Sequence, residues 1–411
     1  MEKQNKEIEI KEEFIEQAKI ISRGAEILPD GVNGLALKLQ RAKEEGRPLR
    51  VKLGLDPTRP DLHLGHTVVM RKLKLFQKFG SQIVLIVGGA TAMIGDPSGK
   101  SETRPSLTKE QVEFNAKTYF DQMSKVVDID NAEVTNNAEW LHKMTLMELL
   151  KLASNVTVAQ LMTRDDFAKR YNNAQPIAVH EFFYPLMQAY DSVAVDADIE
   201  LGGTDQRFNL LLGREIQLAY GKKVPQSVML LPLLEGTDGV LKMSKTYPQN
   251  CISLNEEPKN MYGKLMSIKD EMILRYFTLL TDVPDQDLEK IKERLELKKE
   301  NPRDIKMELA FMITKEYCGE ALAIKAQEDF INVVQKKAIP DDIKEVKLDK
   351  PICVIELLTQ LDFAKSKSEA KRLITQNAVK FNDEKIVNLD FIIDKKGILH
   401  SGKRNYAKIV F

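Results

Sequence analysis

Residues 47–89, "RPLRVKLGLDPTRPDLHLGHTVVMRKLKLFQKFGSQIVLIVGG", decide the fold class of this chain. The segment begins as a strand that runs into a turn, and a helix is expected from about His63 to Phe79. It ends in "SQIVLIVGG", a continuous β-branched run bounded by glycine, which is typical of a buried strand. A strand, a crossover helix and a second strand in this order indicate a parallel, doubly wound α/β sheet, the nucleotide-binding class of fold.

The composition is that of an ordinary globular protein with more than one domain. The 411 residues are too many for one compact core, and 43% hydrophobic with 30% charged residues can bury large cores in water. The N-terminus is charged throughout, and the longest apolar run is shorter than the roughly 18 residues of a membrane span. The three cysteines are scattered singly. A cytoplasmic protein without a membrane partner is therefore expected.

The charge is balanced overall but unevenly distributed. Residues 351–411 carry eleven Lys and Arg against seven Asp and Glu, so this part is basic and the rest of the chain is mildly acidic. A basic C-terminal module suggests a polyanionic partner, and the alternative is a solvated charged face.

The pattern of apolar and turn residues divides the chain into four parts. A charged segment with two prolines, "QKKAIPDDIKEVKLDKP", separates a helix-rich region from the basic C-terminal module. The predicted parts are residues 1–230, an N-terminal helical segment with the sheet domain; 231–335, a helical domain that carries "LKMSKT" at its start; 336–350, a linker; and 351–411, the C-terminal domain.

Local signals add three structural predictions. Residues 11 to about 47 are expected to be largely helical, from an apolar stripe that begins at Phe14. Asn301 is expected to cap a helix that has Pro302 in its first turn. In the last part, Ser366 has capping-box spacing in "SKSEAKRLI" and starts a helix with one basic and one apolar face.

The histidines of "HLGH" pose a choice among a metal pair, packing residues and a phosphate site. A zinc site needs further ligands with matching spacing, and the other three histidines stand alone in the sequence, so no protein-bound metal is expected. The first turn of a helix has unpaired N–H groups and a positive dipole, which stabilise an anion, and neutral imidazoles add donors. Phosphate handling is the leading interpretation. On this segment alone, a buried His63 that packs at a helix start remains equally open.

Two further motifs carry charge in loops. "GDPSGKS" at 95–101 is one residue too short for a phosphate-binding P-loop and contains a proline, so that interpretation is rejected. It leaves Asp96 just beyond a buried strand, followed by the cations Lys100 and Arg104. In "LKMSKT", Lys242 and Lys245 could swing onto a pyrophosphate, although this spacing is common in a lysine-rich chain.

Together these motifs resemble a known family. "HLGH" is similar to the HIGH signature and "KMSKT" to the KMSKS signature of class I aminoacyl-tRNA synthetases. "GLDPTRPDLHLGH", "GGATAMIGDPSGK", "FFYPLMQAYD" and "GGTDQRFNLLLGRE" look like tyrosyl-tRNA synthetase, in the bacterial form that ends in a small domain similar to that of ribosomal protein S four. The resemblance covers residues 50–411. It implies a Rossmann-like catalytic domain, then an α-helical domain and a small α+β RNA-binding domain.

The resemblance implies a two-step reaction. L-tyrosine and ATP give tyrosyl-adenylate and pyrophosphate, and the tyrosyl group then passes to the 3′ end of tyrosine tRNA. The nucleophile is an ionised carboxylate and pyrophosphate is a good leaving group, so positioning and charge stabilisation can supply the catalysis without a strong base. Mg²⁺ is expected to accompany ATP rather than occupy a protein cage. A homodimer that binds tRNA, and not DNA, is implied.

The resemblance also implies roles for individual residues around ATP. Lys242 and Lys245 would grip the departing pyrophosphate while two imidazoles stabilise the phosphates. The catalytic set is His63, His66, Lys242, Lys245, Thr246, Lys100 and Arg104. The ATP-binding set is Gly54, Asp56, Thr58, His63, Gly65, His66, Gly203, Asp205, Met243 and Lys245.

Amino-acid recognition is expected in "YPLMQAYD". Tyr184, Gln188 and Asp191 fall at i, i+4 and i+7, so a helix would align three polar groups on one side of an apolar element. Such a stripe faces either a ligand or solvent. From the family pattern, Asp191 accepts the phenolic proton, and the α-ammonium is bound by Asp96, Tyr184 and Gln188. Gln206 completes the pocket.

Two positions depart from the more familiar family pattern. Lys52 stands where a second phenol-contacting tyrosine is usual, so that partner of the substrate hydroxyl is left open. "GGTDQRFN" replaces "GGSDQWGN", which suggests a distinct subgroup.

For tRNA, Lys365, Lys367, Lys371 and Arg372 are expected to contact phosphates, and residues 231–335 to approach the anticodon. The nearest alternative is tryptophanyl-tRNA synthetase, which usually lacks this C-terminal domain. A nucleotidyltransferase with an HxGH motif would lack the KMSKT partner. A non-catalytic RNA-binding protein derived from a synthetase would not need either signature.

Overall fold

A computed structural model describes residues 9–56, 61–96, 108–297, 300–332, 344–382, 384–402 and 405–411. The chain divides into two compact units, Met1–Ala323 and Ile324–Phe411. Among the described residues, no helix combines the length and the apolar character that crossing a bilayer requires.

The first unit is built on a six-stranded sheet. Its strands lie in the order β1-β6-β5-β2-β3-β4, with β2 to β6 parallel and β1 antiparallel to β6. The predicted α/β doubly wound sheet is therefore confirmed. The strands are β1 Glu26–Leu28, β2 Arg50–Leu55, β3 Gln82–Val87, β4 Glu133–Asn136, β5 Ile199–Gly203 and β6 Ser227–Leu231.

The apolar character of the inner strands agrees with their burial. The strands β3 and β6, each one place in from an edge of the sheet, are mostly apolar, and every residue of Ser227–Leu231 is buried. Parallel strands that are covered by helices on both faces need such continuous runs. The predicted helix after β2 is α3, Leu64–Lys78, which begins directly after His63.

The N-terminal segment is largely helical, as predicted, but it contains a strand that the sequence did not reveal. The strand Glu26–Leu28 separates the helices Glu12–Ser22 and Gly31–Glu44. The backbone turns at Gly24, which has φ +68°, and Ile27 then pairs with Met229 at the edge of the sheet. A strand of three residues is too short to show a period in the sequence, and only its pairing with β6 defines it.

Helices cover both faces of this sheet and form the region that follows it. In the first part of the unit they are α1 Glu12–Ser22, α2 Gly31–Glu44, α3 Leu64–Lys78, α4 Thr91–Ile94, α5 Lys109–Met123, α6 Ala138–Leu141, α7 Leu146–Ala153, α8 Val158–Leu161, α9 Asp165–Asn172, α10 Phe183–Ala194 and α11 Arg207–Ala219. Short 3-10 turns occur at Val179–Phe182, Thr204–Gln206, Pro248–Asn250 and Asp270–Met272.

The region after β6 is helical, as expected. It contains α12 Pro258–Met266, α13 Ile273–Leu280, α14 Asp285–Glu296, α15 Pro302–Cys318 and α16 Glu320–Phe330. The predicted cap is confirmed, because the Asn301 side chain accepts a hydrogen bond from the Arg303 N–H at 3.0 Å and Pro302 is the first helical residue.

The second unit is a small α+β domain. Its five-stranded sheet has the order β10-β9-β12-β13-β7, and β11 pairs with β8. The elements are β7 Lys344–Lys347, β8 Ile352–Cys353, α17 Val354–Gln360, α18 Lys367–Thr375, β9 Val379–Phe381, β10 Glu384–Lys385, β11 Ile392–Ile393, β12 Gly397–Ser401 and β13 Asn405–Val410. Apolar side chains from both helices and the sheet form its core.

Part of the predicted linker belongs to this second unit. Lys344–Lys347 form a strand that pairs in parallel with β13, and the preceding linker residues 336–343 lie outside the described residues. The charged sequence hid this strand because a sheet edge places alternate side chains in solvent. The division of the chain into four parts otherwise stays a prediction.

Candidate active site

Several of the predicted site residues that the structure describes lie at the carboxyl edge of the parallel sheet. Asp56 directly follows β2, and Asp205 lies in the turn directly after β5. Ligands of open α/β sheets bind at this edge, where the strands end and loops begin.

The two histidines of "HLGH" lie together at the first turn of α3. The backbone N–H of His63 donates to Nδ1 of His66 at 3.2 Å, and the two ring centroids are 3.9 Å apart. Since Nδ1 of His66 accepts, its proton is on Nε2. The buried Nδ1 of His63 makes no hydrogen bond within the described part of the chain.

Both imidazoles are neutral at physiological pH. Burial, followed by the neighbouring His66 and Lys245, lowers the pKa of His63 to about 2. Burial and Lys245 lower the pKa of His66 to about 4. Neutral rings have one N–H donor each, which is the form expected for contacts to phosphate oxygens. No group of three metal-ligating side chains occurs in the ranges that the structure describes.

Gly65 is required by the histidine cluster itself. A Cβ at this position would lie 3.0 Å from Cε1 and Nδ1 of His63 and 3.8 Å from Cβ of Met243. The contact at 3.0 Å is closer than side chains normally allow. The glycine thus lets the His63 ring lie against the helix backbone, next to the "KMSKT" loop.

The "KMSKT" loop is adjacent to the histidines. Lys245 donates through Nζ to the backbone carbonyl of Asp61 and lies 3.7 Å from its carboxylate. Leu64 N–H donates to the Ile252 carbonyl at 3.0 Å, so the chain after the loop is joined to the start of α3. The two signatures are therefore in direct contact, and a wide separation between them would have contradicted the phosphate hypothesis.

The other residues of the loop differ in exposure. Lys242 forms an ion pair with Asp205 at 2.8 Å. Met243 is buried, and its N–H donates to the Leu234 carbonyl, which anchors the middle of the loop. Thr246 is exposed, and its hydroxyl accepts a hydrogen bond from Ser244 at 3.2 Å.

The predicted polar stripe lies on one helix, α10. Tyr184 and Asp191 are buried and Gln188 is half-buried. The Tyr184 hydroxyl donates to Asp56 Oδ2 at 2.7 Å, which joins the tyrosine stripe to the residue expected on the ATP side. The face is thus not a solvated one.

A chain of side-chain amides lies beside this stripe. Asn209 donates to Gln188 Oε1 at 3.0 Å and to Gln206 Oε1 at 2.9 Å. Gln206 in turn donates to Asp96 Oδ2 at 2.9 Å. The structure therefore brings Asp96, Gln188 and Gln206 together.

Asp191 is held by two donors that the sequence did not predict. Trp140 Nε1 donates to Oδ1 at 2.8 Å and Asn137 Nδ2 donates to Oδ2 at 3.2 Å. Burial raises the pKa of Asp191 to about 7, against the lowering influence of Lys52 and these two donors. Trp140 is the single tryptophan of the chain, and this rarity is the one feature of the sequence that could have marked it as a candidate site residue.

Gly88 shows how closely β3 approaches the site. A Cβ there would lie 1.9 Å from Oδ1 of Asp56 and 2.4 Å from Oγ1 of Thr91. The glycine that bounds the buried strand therefore leaves room for the Asp56 carboxylate, which sequence reasoning did not anticipate.

The remaining predicted positions are placed as follows. Gly54 lies in β2 and Gly203 ends β5, both near the carboxyl edge. Thr58, Lys100 and Arg104 lie outside the described residues.

The Lys52 ammonium is held by partners within the protein. Its side chain is fully buried, and Nζ donates to Glu200, Ser192 and the Gln188 carbonyl.

The predicted tRNA-binding cations lie in the second unit and are exposed. They surround α18, whose cap Ser366 accepts from the Glu369 N–H at 3.2 Å. Lys367 pairs with Glu356 at 3.2 Å and Arg372 with Glu369 at 3.4 Å. Lys365 and Lys371 are also exposed, so all four cations face solvent.

Comparison with known proteins places the chain in a family. A family model described as tRNA synthetases class I (W and Y) matches residues 43–335, and one described as a tyrosine--tRNA ligase SYY-like C-terminal domain matches residues 335–409. The solved tyrosyl-tRNA synthetase from Archaeoglobus fulgidus, complexed with L-tyrosine, has a TM-score of 0.61 at 22% identity, covering 76% of this chain and 99% of that one, and supports the fold.

Full-length relatives distinguish tyrosine from tryptophan within this family. The tyrosine--tRNA ligase of Thermotoga maritima is 52% identical over 96% of this chain and 97% of its own length. That of Carboxydothermus hydrogenoformans is 49% identical over 97% of this chain and 99% of its own. The chain therefore belongs to the tyrosine--tRNA ligases of the class I tRNA synthetases.

Proposed function

We propose how individual residues of this chain carry out the reaction of its family. A tyrosine--tRNA ligase activates L-tyrosine with ATP to tyrosyl-adenylate, releases pyrophosphate, and transfers the tyrosyl group to the 3′ end of tyrosine tRNA. The observation that carries the assignment is a pair of contacts. Lys245 of the "KMSKT" loop donates to the Asp61 carbonyl, two residues before His63, and the Tyr184 hydroxyl donates to Asp56.

His63 and His66 stabilise the phosphates of ATP as neutral donors. Their lowered pKa values, about 2 and about 4, keep both rings uncharged, so each ring offers one N–H group to a phosphate oxygen. The helix α3 spans fifteen residues, and its dipole adds a positive end at the same place. Gly65 keeps this end accessible.

Lys242 and Lys245 stabilise charge on the departing pyrophosphate. Lys242 pairs with Asp205, and Lys245 pairs with Asp61. Such partly exposed pairs contribute at most about 1 kcal/mol each, so both ammonium groups exchange readily onto phosphate oxygens. Thr246 adds a hydroxyl, and Lys100 and Arg104 are proposed as further cations.

The ATP side is completed by carboxylates and glycines at the strand ends. Asp56 and Asp205 accept hydrogen bonds from ribose hydroxyl and amine groups, while Gly54 and Gly203 leave room for the nucleotide. Thr58 and Met243 belong to the same proposed set. Mg²⁺ enters with the triphosphate as part of the substrate, since this ion prefers phosphate oxygens and water with few protein ligands.

Tyrosine binds along α10. Asp191 accepts the phenolic proton, and its carboxylate is already aimed by Trp140 and Asn137. Asp96, Tyr184 and Gln188 bind the α-ammonium, with Gln206 beside them. Phenylalanine is rejected because a buried acceptor left without its donor costs about 1–3 kcal/mol.

The chain is proposed to act as a homodimer in the cytoplasm. Three apolar residues on one side of α7 are largely exposed: Leu146 by 70%, Met147 by 72% and Leu150 by 53%. Val158 of the next helix is 67% exposed. A cluster of this kind is typical of a surface that is covered by a partner, and two copies related by a two-fold axis would cover each other.

The second unit is proposed to hold tRNA through Lys365, Lys367, Lys371 and Arg372. Phosphate contacts of exposed cations are favourable because they release counterions. The helical region 231–335 is proposed to approach the anticodon.

Amino-acid-dependent exchange of labelled pyrophosphate into ATP tests the function directly. With all twenty amino acids supplied separately, tyrosine alone is expected to support exchange. Exchange with tryptophan instead would contradict the pocket assignment.

A further inference from the structure

Lys52 is a fully buried ammonium in the middle of the parallel sheet. It lies on β2, two residues before Gly54, and its side chain is 0% exposed. Lysine is rarely buried unless it is paired, because removing a charge from water is unfavourable. Its surroundings therefore have to compensate the charge.

The compensating group is Glu200 on β5. Glu200 is 1% exposed, and its Oε1 lies 2.9 Å from Nζ of Lys52. Its other oxygen accepts from Ser192 Oγ at 3.0 Å and from the side-chain amide of Gln226. The pair is thus a buried salt bridge in which both oxygens of the carboxylate accept hydrogen bonds.

This pair is directly connected to the turn of α10 that presents Asp191. Nζ of Lys52 donates to the Gln188 carbonyl at 3.0 Å and to Ser192 Oγ at 2.8 Å, and these residues flank Asp191 in the sequence. Glu200 also lies 3.4 Å from the side-chain nitrogen of Gln188. The three N–H donors of the ammonium therefore all end on protein atoms.

We propose that Lys52, paired with Glu200, is a positioning residue that determines tyrosine selectivity without touching the substrate. It fixes the helical turn that carries Gln188 and Asp191, and its charge favours the ionised form of the Asp191 carboxylate. The inference rests on the proposed roles of Gln188 and Asp191 in binding tyrosine. It also accounts for a lysine at a position where a phenol-contacting residue was expected.

The charges around Asp191 support this assignment. Lys52 is the largest influence that opposes burial, and the donors Trp140 and Asn137 act in the same direction. Glu200 acts against them more weakly, and the Tyr184 hydroxyl stays neutral because its pKa is raised well above the usual value. Loss of Lys52 therefore raises the pKa of Asp191 further above about 7. A protonated carboxyl no longer requires a donor, so the penalty against phenylalanine falls.

The test compares Lys52→Met with the double variant Lys52→Met/Glu200→Gln. The double variant leaves no unpaired buried charge, so it separates folding from selectivity. In pyrophosphate exchange, both are expected to raise KM for tyrosine about tenfold, with KM for ATP within about twofold, because one buried polar contact is lost at the tyrosine end. The fall of kcat/KM for tyrosine on acidification is expected to begin at a higher pH than in the wild type. Discrimination against phenylalanine is expected to be weaker.

Lys72→Met is the matched control. Lys72 is also a buried lysine, but it lies on α3 and donates to the Arg23 carbonyl, remote from α10. Its KM for tyrosine is expected to stay at the wild-type value.

Two outcomes overturn the proposal. In the first, the double variant keeps the wild-type KM for tyrosine and the wild-type pH dependence of kcat/KM. In the second, KM for tyrosine and KM for ATP increase equally. Asp191→Asn is measured alongside. If it leaves tyrosine binding intact, the proposed pocket fails; if it weakens binding while the Lys52 variants do not, only the role of Lys52 fails.

Discussion

Lys245 donates a hydrogen bond to the backbone carbonyl of Asp61, two residues before His63, although the two positions are 184 residues apart in sequence. The contact joins the two signature segments. Phosphate oxygens can replace the carbonyl as the acceptor of the ammonium.

Replacing Lys245 by Ala is expected to slow tyrosine-dependent pyrophosphate exchange by about 100-fold in kcat, with little change in KM for tyrosine. The ammonium stabilises charge that develops on the leaving pyrophosphate, and loss of one such group typically costs this much. Lys290→Ala is the control, because Lys290 is a 71% exposed lysine that pairs with Asp287 on the same helix. An unchanged exchange rate for Lys245→Ala would show that the loop does not act on phosphate.

Asp191→Asn is expected to raise KM for tyrosine at least about tenfold and to narrow the preference for tyrosine over phenylalanine, since the amide is a poorer acceptor for the phenolic proton. Exchange assays with both amino acids measure the preference. Asp196→Asn is the control, because Asp196 follows the same helix but is 77% exposed and pairs with Lys222. Retained selectivity in Asp191→Asn would remove its proposed role.

The pH dependence of tyrosine binding is expected to follow Asp191 rather than the histidines. Burial raises the pKa of Asp191 to about 7, so the carboxylate becomes protonated and loses acceptor strength as pH falls through this value. His63 and His66, with pKa values lowered to about 2 and about 4, stay neutral throughout that range. KM for tyrosine should therefore rise on acidification below neutrality.

Two variants test which residue causes the rise in KM for tyrosine below neutral pH. Asp191→Asn is expected to abolish this pH dependence. His66→Asn is expected to reduce kcat and to leave the pH at which KM rises unchanged. If the pH dependence persists in Asp191→Asn and disappears in His66→Asn, it belongs to His66 and not to Asp191.

The features that were predictable from sequence depend on local periodicity. The buried strand before Gly88, the helix after His63 and the stripe at Tyr184, Gln188 and Asp191 all follow from spacings of one to seven residues. Such spacings fix which side chains share a face, whatever the rest of the chain does.

What could not be predicted depends on contacts between distant segments. Trp140 reaches Asp191 from another helix, and β1 exists because it pairs with a strand about two hundred residues later. Lys52 would be placed at the surface by composition alone, and only the carboxylate of Glu200 on a neighbouring strand explains its burial.

Binding of tyrosine tRNA is expected to depend on salt through the cations of the second unit. Replacing Lys371 by Ala should reduce the magnitude of the slope of log affinity against log salt by about 1. With one phosphate contact fewer, binding releases about one counterion fewer. Pyrophosphate exchange without tRNA should be unchanged. Lys408→Ala is the control, since Lys408 is an exposed lysine of the same unit that pairs with Glu345 on the sheet. An equal change in slope for both variants would indicate general charge attraction rather than a site at α18.

Charged substitutions on α7 are expected to dissociate the proposed dimer. Leu146→Glu with Met147→Glu places two carboxylates on a surface that is 70% and 72% exposed in the isolated chain, so the fold of one copy should tolerate them. If two copies cover this surface, burial of the charges would be unfavourable and sedimentation should report a monomer. Leu297→Glu is the matched control, because this leucine is also exposed, by 57%, but lies at the end of α14. A double variant that still sediments as a dimer would place the subunit contact on another surface.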